Sequence, residues 1–486
     1  MQSCNRRSTL ISSLPKRSFD ERLEDAKALL DSEPDAAHGI CVELLNEQRD
    51  NPLVLYIMAA AYSRAERYGL AHTVFQRLCT LAPNRYEAWN NVGMCQTAMS
   101  DHLAARKSFF KANDLTPNKP EVLANIALTY LDEGDFEKAE MWGKRAIAVD
   151  PNHAGARGTL GFAQLALGRW TPGWENYGYT LGGKFRKRTS YGDEPLWDGS
   201  ANKRLVIYGE QGLGDEIMYA SCIPDIACEI TLDCDKRLEG LFRRSFPDVE
   251  VHGTRRDEEV DWIKEYDANC PIGLLPQFMR PDPKFCPKTP YLIPDPERVL
   301  QWKILFASYR KPVIGLCWTG GSKHNHPHRR AIDLPDFQPL FDQDAVFVSL
   351  QYKDGETHPR VLEFPRATRT PDYDDTAGLV AALDHVIGIH TTVHHLAGAL
   401  GVPATILVPD KPMWIYAGEE IPWYRSTLHR KRAGETWKNC IRRLNVESIC
   451  RFRSEGIGGV SHVLPIGVGE NEYPRSVYTP RALVAG

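Results

Sequence analysis

Three Pro-Asn pairs, Pro83-Asn84, Pro117-Asn118 and Pro151-Asn152, stand 34 residues apart. A fixed period of this size commits the chain to a stacked array, because no single unit of that length can bury its own apolar face. The side chains between the prolines keep the same period. Trp89, Val92, Gly93, Ala105, Phe109 and Ala112 become Leu123, Ile126, Ala127, Ala139, Gly143 and Ala146 one unit later, and Leu55, Met58, Ala59, Ala71, Phe75 and Leu78 one unit earlier. Small residues at Gly93/Ala105 and Ala127/Ala139 let two antiparallel helices approach closely, while the large ones fill the space towards the next pair. The pattern predicts an α-solenoid over residues 19–185, with 1–18 disordered and 19–51 an irregular opening helix pair. Leu160-Gly161 through Trp170, Trp174 and Tyr177 read as a degenerate last unit that docks the array onto the second half of the chain.

After Gly182-Gly183 the grammar changes. A basic, loop-like linker (186–204) leads into short β-rich runs that alternate with helical segments. LVIYG, EITLD, VEVHG and YDANCPIG are the strands of one set, predicted to form a first lobe over 205–300. VIGLCW, AVFVSL, HVIGI and ATILV form a second set, over 301–450, and 451–486 reads as a loosely ordered tail. Strands separated by helices imply parallel sheets that bind ligands at the strands' C-terminal ends. The predicted class is therefore α plus α/β: a repeat solenoid followed by two Rossmann-like lobes facing a cleft.

Each lobe carries a glycine turn at such a strand end. The first is Gly209-Glu210-Gln211-Gly212-Leu213-Gly214-Asp215-Glu216, and the strand before it and helix after it bring backbone close to a ligand. The glycines at 209, 212 and 214 do not have the dinucleotide spacing, and no lysine follows as in a Walker A loop. Asp215 is the residue there that can carry chemistry; its bland alternative is a helix cap. In the second lobe, Trp318-Thr319-Gly320-Gly321-Ser322-Lys323 runs into His324, His326, His328, Arg329 and Arg330. Dense donors after a Gly/Ser turn suit a diphosphate. His390-Thr391-Thr392 at the start of a small-residue helix is a second anion site, with hydroxyls and unpaired N–H groups. His390 and His394 lie four apart but lack the glutamate of HExxH, and HxHxH in a loop does not define a metal site, so no metal is expected.

Composition narrows the function classes. Lys+Arg 59 against Asp+Glu 63 leaves a net charge of −4, which argues against a nucleic-acid binder. No run approaches about 18 uninterrupted apolar residues, so no transmembrane segment is expected, and the N-terminus lacks the apolar core of a secretory signal. The 12 cysteines are scattered without a CxxC pair, and Cys222, Cys228 and Cys234 recur at a spacing foreign to zinc sites. Free thiols in a reducing cytoplasm are the expected state.

The 34-residue unit resembles the tetratricopeptide repeat, which implies a concave docking face for a protein or peptide. The second half resembles the glycosyltransferase family containing the ADP-heptose:lipopolysaccharide heptosyltransferases, in its repeat-fused branch. The matching stretches are GEQGLGDEIMYASCIP (209–224), IGLCWTGG with RRAIDL (314–334), VFVSLQ (346–351), DYDDTAGLVAALDHVI (372–387), TTVHHLAGALGVP (391–403) and PWYRS (422–426). The resemblance implies a GT-B fold, a donor held mainly by the second lobe, and inversion at the anomeric carbon without metal or other cofactor. By it, Asp215 matches the catalytic aspartate, and the phosphate-binding set is Gly212, Gly214, Lys323, Arg330, Thr391, Thr392 and His395, with Ser322 and His390 as further donor contacts. Two positions depart from the pattern: His390 stands where the family has Asp, and Gly320-Gly321 where it has Gly-Asn. The expected function is transfer of a sugar from a nucleotide-diphosphate donor to a protein or glycan acceptor positioned by the repeat groove. The alternative is a non-catalytic interaction scaffold built on a retired transferase. A nucleotide-binding epimerase or kinase is disfavoured by the missing motifs.

Overall fold

The computed structural model describes residues 17–183, 186, 191–255, 260–286, 288–320 and 331–448. Ten helices come first: α1 (Phe19–Ala28), α2 (Pro34–Glu47), α3 (Pro52–Arg64), α4 (Tyr68–Leu81), α5 (Tyr86–Ala98), α6 (His102–Leu115), α7 (Pro120–Asp132), α8 (Phe136–Val149), α9 (Ala154–Ala166) and α10 (Trp170–Gly178). From α3 on, the first helix of each pair starts at 52, 86, 120 and 154, and the second at 68, 102, 136 and 170. The opening pair departs from this only in α1, which is three residues shorter than α3, since α2 begins 34 residues before α4.

The turn inside each pair has a left-handed residue at the same phase: Glu66, Ser100, Gly134 and Gly168, with φ between 58° and 76°. Glycine adopts this without cost, whereas Glu66 and Ser100 each hold a Cβ against it at roughly 1 kcal/mol. The small residues act as expected. A Cβ on Gly93 would lie 2.6 Å from the Phe109 ring, so α5 and α6 can cross only where that side chain is missing.

Two parallel sheets follow. The first holds β1 (Arg204–Tyr208), β2 (Glu229–Asp233), β3 (Glu250–His252) and β4 (Ala268–Pro271) in the order β3-β2-β1-β4. Between its strands run α11 (Leu213–Ala220) and α12 (Glu239–Ser245), and α13 (Leu275–Met279) follows β4. Next comes α14 (Pro296–Ala307), which begins before residue 301 and packs on the second lobe. The second sheet holds β5 (Val313–Cys317), β6 (Val346–Ser349), β7 (Val361–Leu362), β8 (His385–Ile389), β9 (Ala404–Val408) and β10 (Thr427–Arg430), in the order β10-β9-β8-β5-β6-β7. Its helices are α15 (Gln338–Phe341), α16 (Pro365–Thr368), α17 (Tyr373–Ala381), α18 (Thr392–Leu400) and α19 (Trp437–Arg442). Every described strand pair in both sheets is parallel. In each lobe the chain winds outwards one way from the first strand and then restarts on its other side. That reversal opens a crevice at the C-terminal ends of β1/β4 and of β5/β8, where doubly wound sheets take ligands.

The last repeat docks onto both lobes, as expected from its tryptophans. Leu165, Trp170, Trp174 and Tyr177 belong to the same buried cluster as Ile207 and Tyr219 of the first lobe and Val386, Trp423 and Tyr424 of the second. Trp170 stacks on Trp423 at 5.0 Å, and Trp174 meets Tyr219, Trp414 and Trp423 edge-on. The Trp174 indole N–H donates to the Arg280 carbonyl at 3.0 Å. The last repeat and parts of both lobes therefore share one core, whereas the earlier repeats bury clusters of their own. The ten cysteines at described positions are free thiols, and among the described residues no helix is long and apolar enough to cross a membrane.

Candidate active site

The site is built where two helix starts meet across the lobes. β1 delivers the chain into the Gly209–Gly212 turn, and α11 begins directly after it. Gly209 passes over the buried Glu216, whose carboxylate a Cβ there would overlap. Gly212 is the N-cap of α11, and its N–H donates to Asp215 Oδ2 at 3.1 Å. Asp215 is thus the third residue of the helix, reaching back to the cap, and not the cap itself. Gly214 faces the other lobe: a Cβ on it would stand 3.1 Å from His395 Cδ2 and 3.2 Å from Thr392 Cα. Only a hydrogen lets α11 and α18 approach that closely.

From the second lobe, β8 ends at Ile389, Thr391 caps α18, and Thr392 opens it. Thr391 Oγ1 lies 3.6 Å from Cys317 Sγ at the end of β5, and its methyl lies under Gly320. Of the residues singled out from the sequence, the structure brings Gly212, Gly214 and Asp215 together with Thr392, His395 and, beside them, Thr391. His390 is buried and packs its ring 4.9 Å from that of Tyr416. Ser322, Lys323 and Arg330, with His324, His326 and His328, lie outside the described residues.

Electrostatics single out Asp215. Burial, helped by the nearby Glu210 charge, raises its carboxyl to about 6 against the pull of the Gly212 amide, Arg186 and Arg255. That places it in the range where a carboxylate can accept a proton near neutral pH. Glu216 is pushed further, to about 8, by burial, although Arg255 lies 3.1 Å from its Oε1. The Asp235 N–H also donates to Glu216 Oε2, so Glu216 braces β2 against α11. His395 is lowered to about 4 by burial and so is neutral at pH 7; its Nδ1 lies 3.4 Å from the Tyr424 hydroxyl. His394 is fully buried and also held neutral. Among the described residues no group of three or more His, Cys, Asp or Glu is arranged to hold a metal ion.

Sequence reasoning missed the support behind the turn. Glu210 is buried and accepts from Arg186 Nη2 at 2.8 Å and Nε at 3.1 Å, and from Gln211 Nε2 at 2.9 Å. Gln211 in turn accepts from the Tyr177 hydroxyl of α10 at 2.8 Å. The only forewarning was that Glu210 and Gln211 fall inside the glycine turn and Arg186 inside a basic stretch. The PWYRS stretch has a packing role: Trp423 stacks on the last repeat, and Tyr424 covers Gly398 of α18. The acidic run at the start of α17 makes one tie between the lobes, with Arg244 of α12 donating to Asp374 at 2.8 Å, and one tie to α14, where Arg298 donates to Asp375 at 2.6 Å.

The tetratricopeptide repeat family matches residues 120–153, which are α7 and α8. Protein FlbA of Caulobacter vibrioides is 30% identical over 411 residues, covering 76% of this chain and 68% of FlbA. The chain belongs to the FlbA family. A match of that extent is longer than the repeats or the sheets alone, so the FlbA likeness takes in parts of both. Among solved structures, MamA from Desulfovibrio magneticus RS-1 is 20% identical, covers 33% of this chain and 91% of its own, and has a TM-score of 0.30. TTC0263, a tetratricopeptide-repeat protein of Thermus thermophilus, is 19% identical over 33% of this chain and 89% of its own, with a TM-score of 0.31.

Proposed function

We propose that the chain is a metal-independent, inverting glycosyltransferase of GT-B type, acting on a nucleotide-diphosphate sugar. The observation that carries this reading is the seam at Gly214. There the helix bearing Asp215 meets the start of α18 at Thr392 and His395, each helix following a glycine or threonine turn at a parallel-sheet switch point. In this reading Asp215 takes the proton of an acceptor hydroxyl, and the acceptor oxygen bonds to the anomeric carbon. The bond from that carbon to the diphosphate breaks, and the nucleoside diphosphate leaves with the electron pair. Because His395 is neutral, it supplies hydrogen bonding and not charge. The leaving-group charge falls to Lys323, Arg330, the Thr391 and Thr392 hydroxyls and the first amides of α18. Gly212 brings backbone to the ligand, and Gly214 and Gly320 let α11 and the β5 turn close on α18 and Thr391 around it. Ser322 and His390 are further donor contacts, and the repeat face positions a protein or glycan acceptor. Departure from the family pattern at His390 favours one other reading, an interaction scaffold without activity.

Nucleoside diphosphates separate the two. A ligand that binds only the folded state at a hundredfold excess over Kd adds about 2.7 kcal/mol of stability, so the melting temperature rises. Lys323→Ala is expected to shrink that rise by removing a charge-assisted contact. No shift with any common nucleoside diphosphate supports the scaffold. A chelator is expected to leave both nucleotide binding and transfer unchanged, measured by thermal shift and by nucleotide release. Loss of either on chelation refutes the metal-independent mechanism.

A further inference from the structure

We propose that Tyr177, from the last repeat helix, and Arg186, from the segment after it, are positioning residues for Asp215, so that the repeat array holds the catalytic turn as well as presenting an acceptor. The inference rests on the transferase reading and extends it to how the two halves of the chain are coupled.

The geometry is a closed chain of contacts. Tyr177 lies in α10, fixed from behind by Gly161 of α9, where a Cβ would come within 2.7 Å of its backbone N. Its ring carries the Arg186 guanidinium at 4.2 Å, and its hydroxyl donates to Gln211 Oε1. Arg186 is buried and uses every face of its fork. Nη1 donates to the Tyr177 carbonyl at 3.1 Å and to Thr180 Oγ1 at 2.8 Å, while Nε and Nη2 donate to Glu210. Gly273, two residues after β4, closes the cradle. A Cβ there would overlap Gln211 Nε2 and meet Glu210 Oε1 at 2.5 Å and Arg186 Nη2 at 3.0 Å. Glu210 and Gln211 are thereby held between a repeat helix and the sheet, five and four residues before the candidate base. On the far side of the same turn, Arg255 donates to the Gln211 carbonyl and pairs with Glu216 and Asp235. A turn gripped on both sides has little freedom to reorient Asp215, and misplacing a catalytic group by about 1 Å can cost roughly 10²-fold in rate.

An ion pair too remote to act on Asp215 would leave its protonation alone, and that is what the titration reads, while the kinetics of Tyr177→Phe read the positioning. Around Asp215 stand Glu210 of the turn, Arg186 of the linker, Arg255 after β3, Tyr177 of α10, Tyr219 of α11 and the neutral His395 of α18. Glu210 disfavours the carboxylate and Arg186 favours it. Glu210→Gln removes the opposing charge and leaves Arg186 in place, so the carboxyl of Asp215 titrates at lower pH. Arg186→Gln leaves Glu210 in place without its partner, so it titrates at higher pH. Neutralising both returns it towards wild type.

The test follows the Asp215 carboxyl directly, by infrared difference titration of each full-length variant against the same variant carrying Asp215→Asn. It needs no acceptor and no donor. Opposite displacements for the two single variants, each of about half a unit or more, with recovery in the double variant, are the expected result. The acidic limb of kcat/KM against pH should move in step, while Tyr177→Phe should lower kcat about tenfold with nucleotide binding unchanged. Displacements of one sign, or none in variants with wild-type melting curves, overturn the proposal. If Arg186→Gln does not fold, Glu210→Gln decides the titration and Tyr177→Phe the kinetics. A titration that behaves as expected in a chain without transferase activity would refute the transferase reading and leave the coupling standing.

Discussion

Asp215→Asn is expected to lower sugar transfer by about 10²–10⁴-fold, the range for losing a general base, while nucleoside diphosphates still raise the melting temperature as in wild type. The two side chains have nearly the same volume, and the Asn carbonyl can still accept from the Gly212 N–H that Asp215 holds at 3.1 Å. The helix start loses one favourable negative charge, worth about 0.3–1 kcal/mol, and with it the cost of burying that charge. Stability is therefore nearly unchanged, and any large rate effect belongs to chemistry. The pH profile gives an independent reading. A base must be ionised to accept a proton, and burial holds this one near 6. Transfer should fall as the pH drops through that value and level off about one unit above it. Wild-type transfer by Asp215→Asn, measured as nucleotide release in the presence of acceptor, refutes the assignment.

The period of the repeats was legible because its determinants are local: helices start at 86, 120 and 154, each three residues after the prolines at 83, 117 and 151. The central strands were equally plain, since strands buried on both faces are continuous apolar runs, as in VIGLC of β5. β7 and β10 escaped for the opposite reason. They are the edges of the second sheet; β7 is two residues long, and β10 reads Thr-Leu-His-Arg, with no fully buried side chain. At the site, the glycine turn and the threonine helix start were visible because each is a contiguous motif. Tyr177, Arg186 and Gly273 were not, because their roles exist only once α10, the linker and the end of β4 converge on Glu210 and Gln211. The imidazoles at 390 and 394 are packed in the second lobe in a way their spacing did not disclose: His390 is buried against Tyr416, and His394 has no exposure at all.

Two truncations should behave in opposite ways because of where the shared core lies. Removing residues 1–150 takes away α1 to α8 but keeps α9 and α10, with Trp170, Trp174 and Tyr177 still seated on the lobes. It uncovers the face of α9 that packed on α8, where Leu160 met Gly143, and a solenoid tolerates such a cut at some loss of stability. The shortened chain should therefore keep nucleotide binding and hydrolyse donor, while transfer to the physiological acceptor weakens, mainly through KM. Removing residues 1–183 is a different operation. It strips Trp170 from Trp423 and Trp174 from Tyr219 and Trp414, and leaves Gln211 without the Tyr177 hydroxyl. Deleting one buried aromatic costs about 3–5 kcal/mol, so losing three from one cluster approaches the whole stability of a domain, about 5–15 kcal/mol. This chain should be recovered unfolded or aggregated, or with a melting temperature far below that of the first truncation. If it melts like the full-length protein and still binds nucleotide, the aromatic seam does not hold the lobes. If the 1–150 truncation uses its acceptor as well as the full chain, the repeat face serves a partner other than the acceptor.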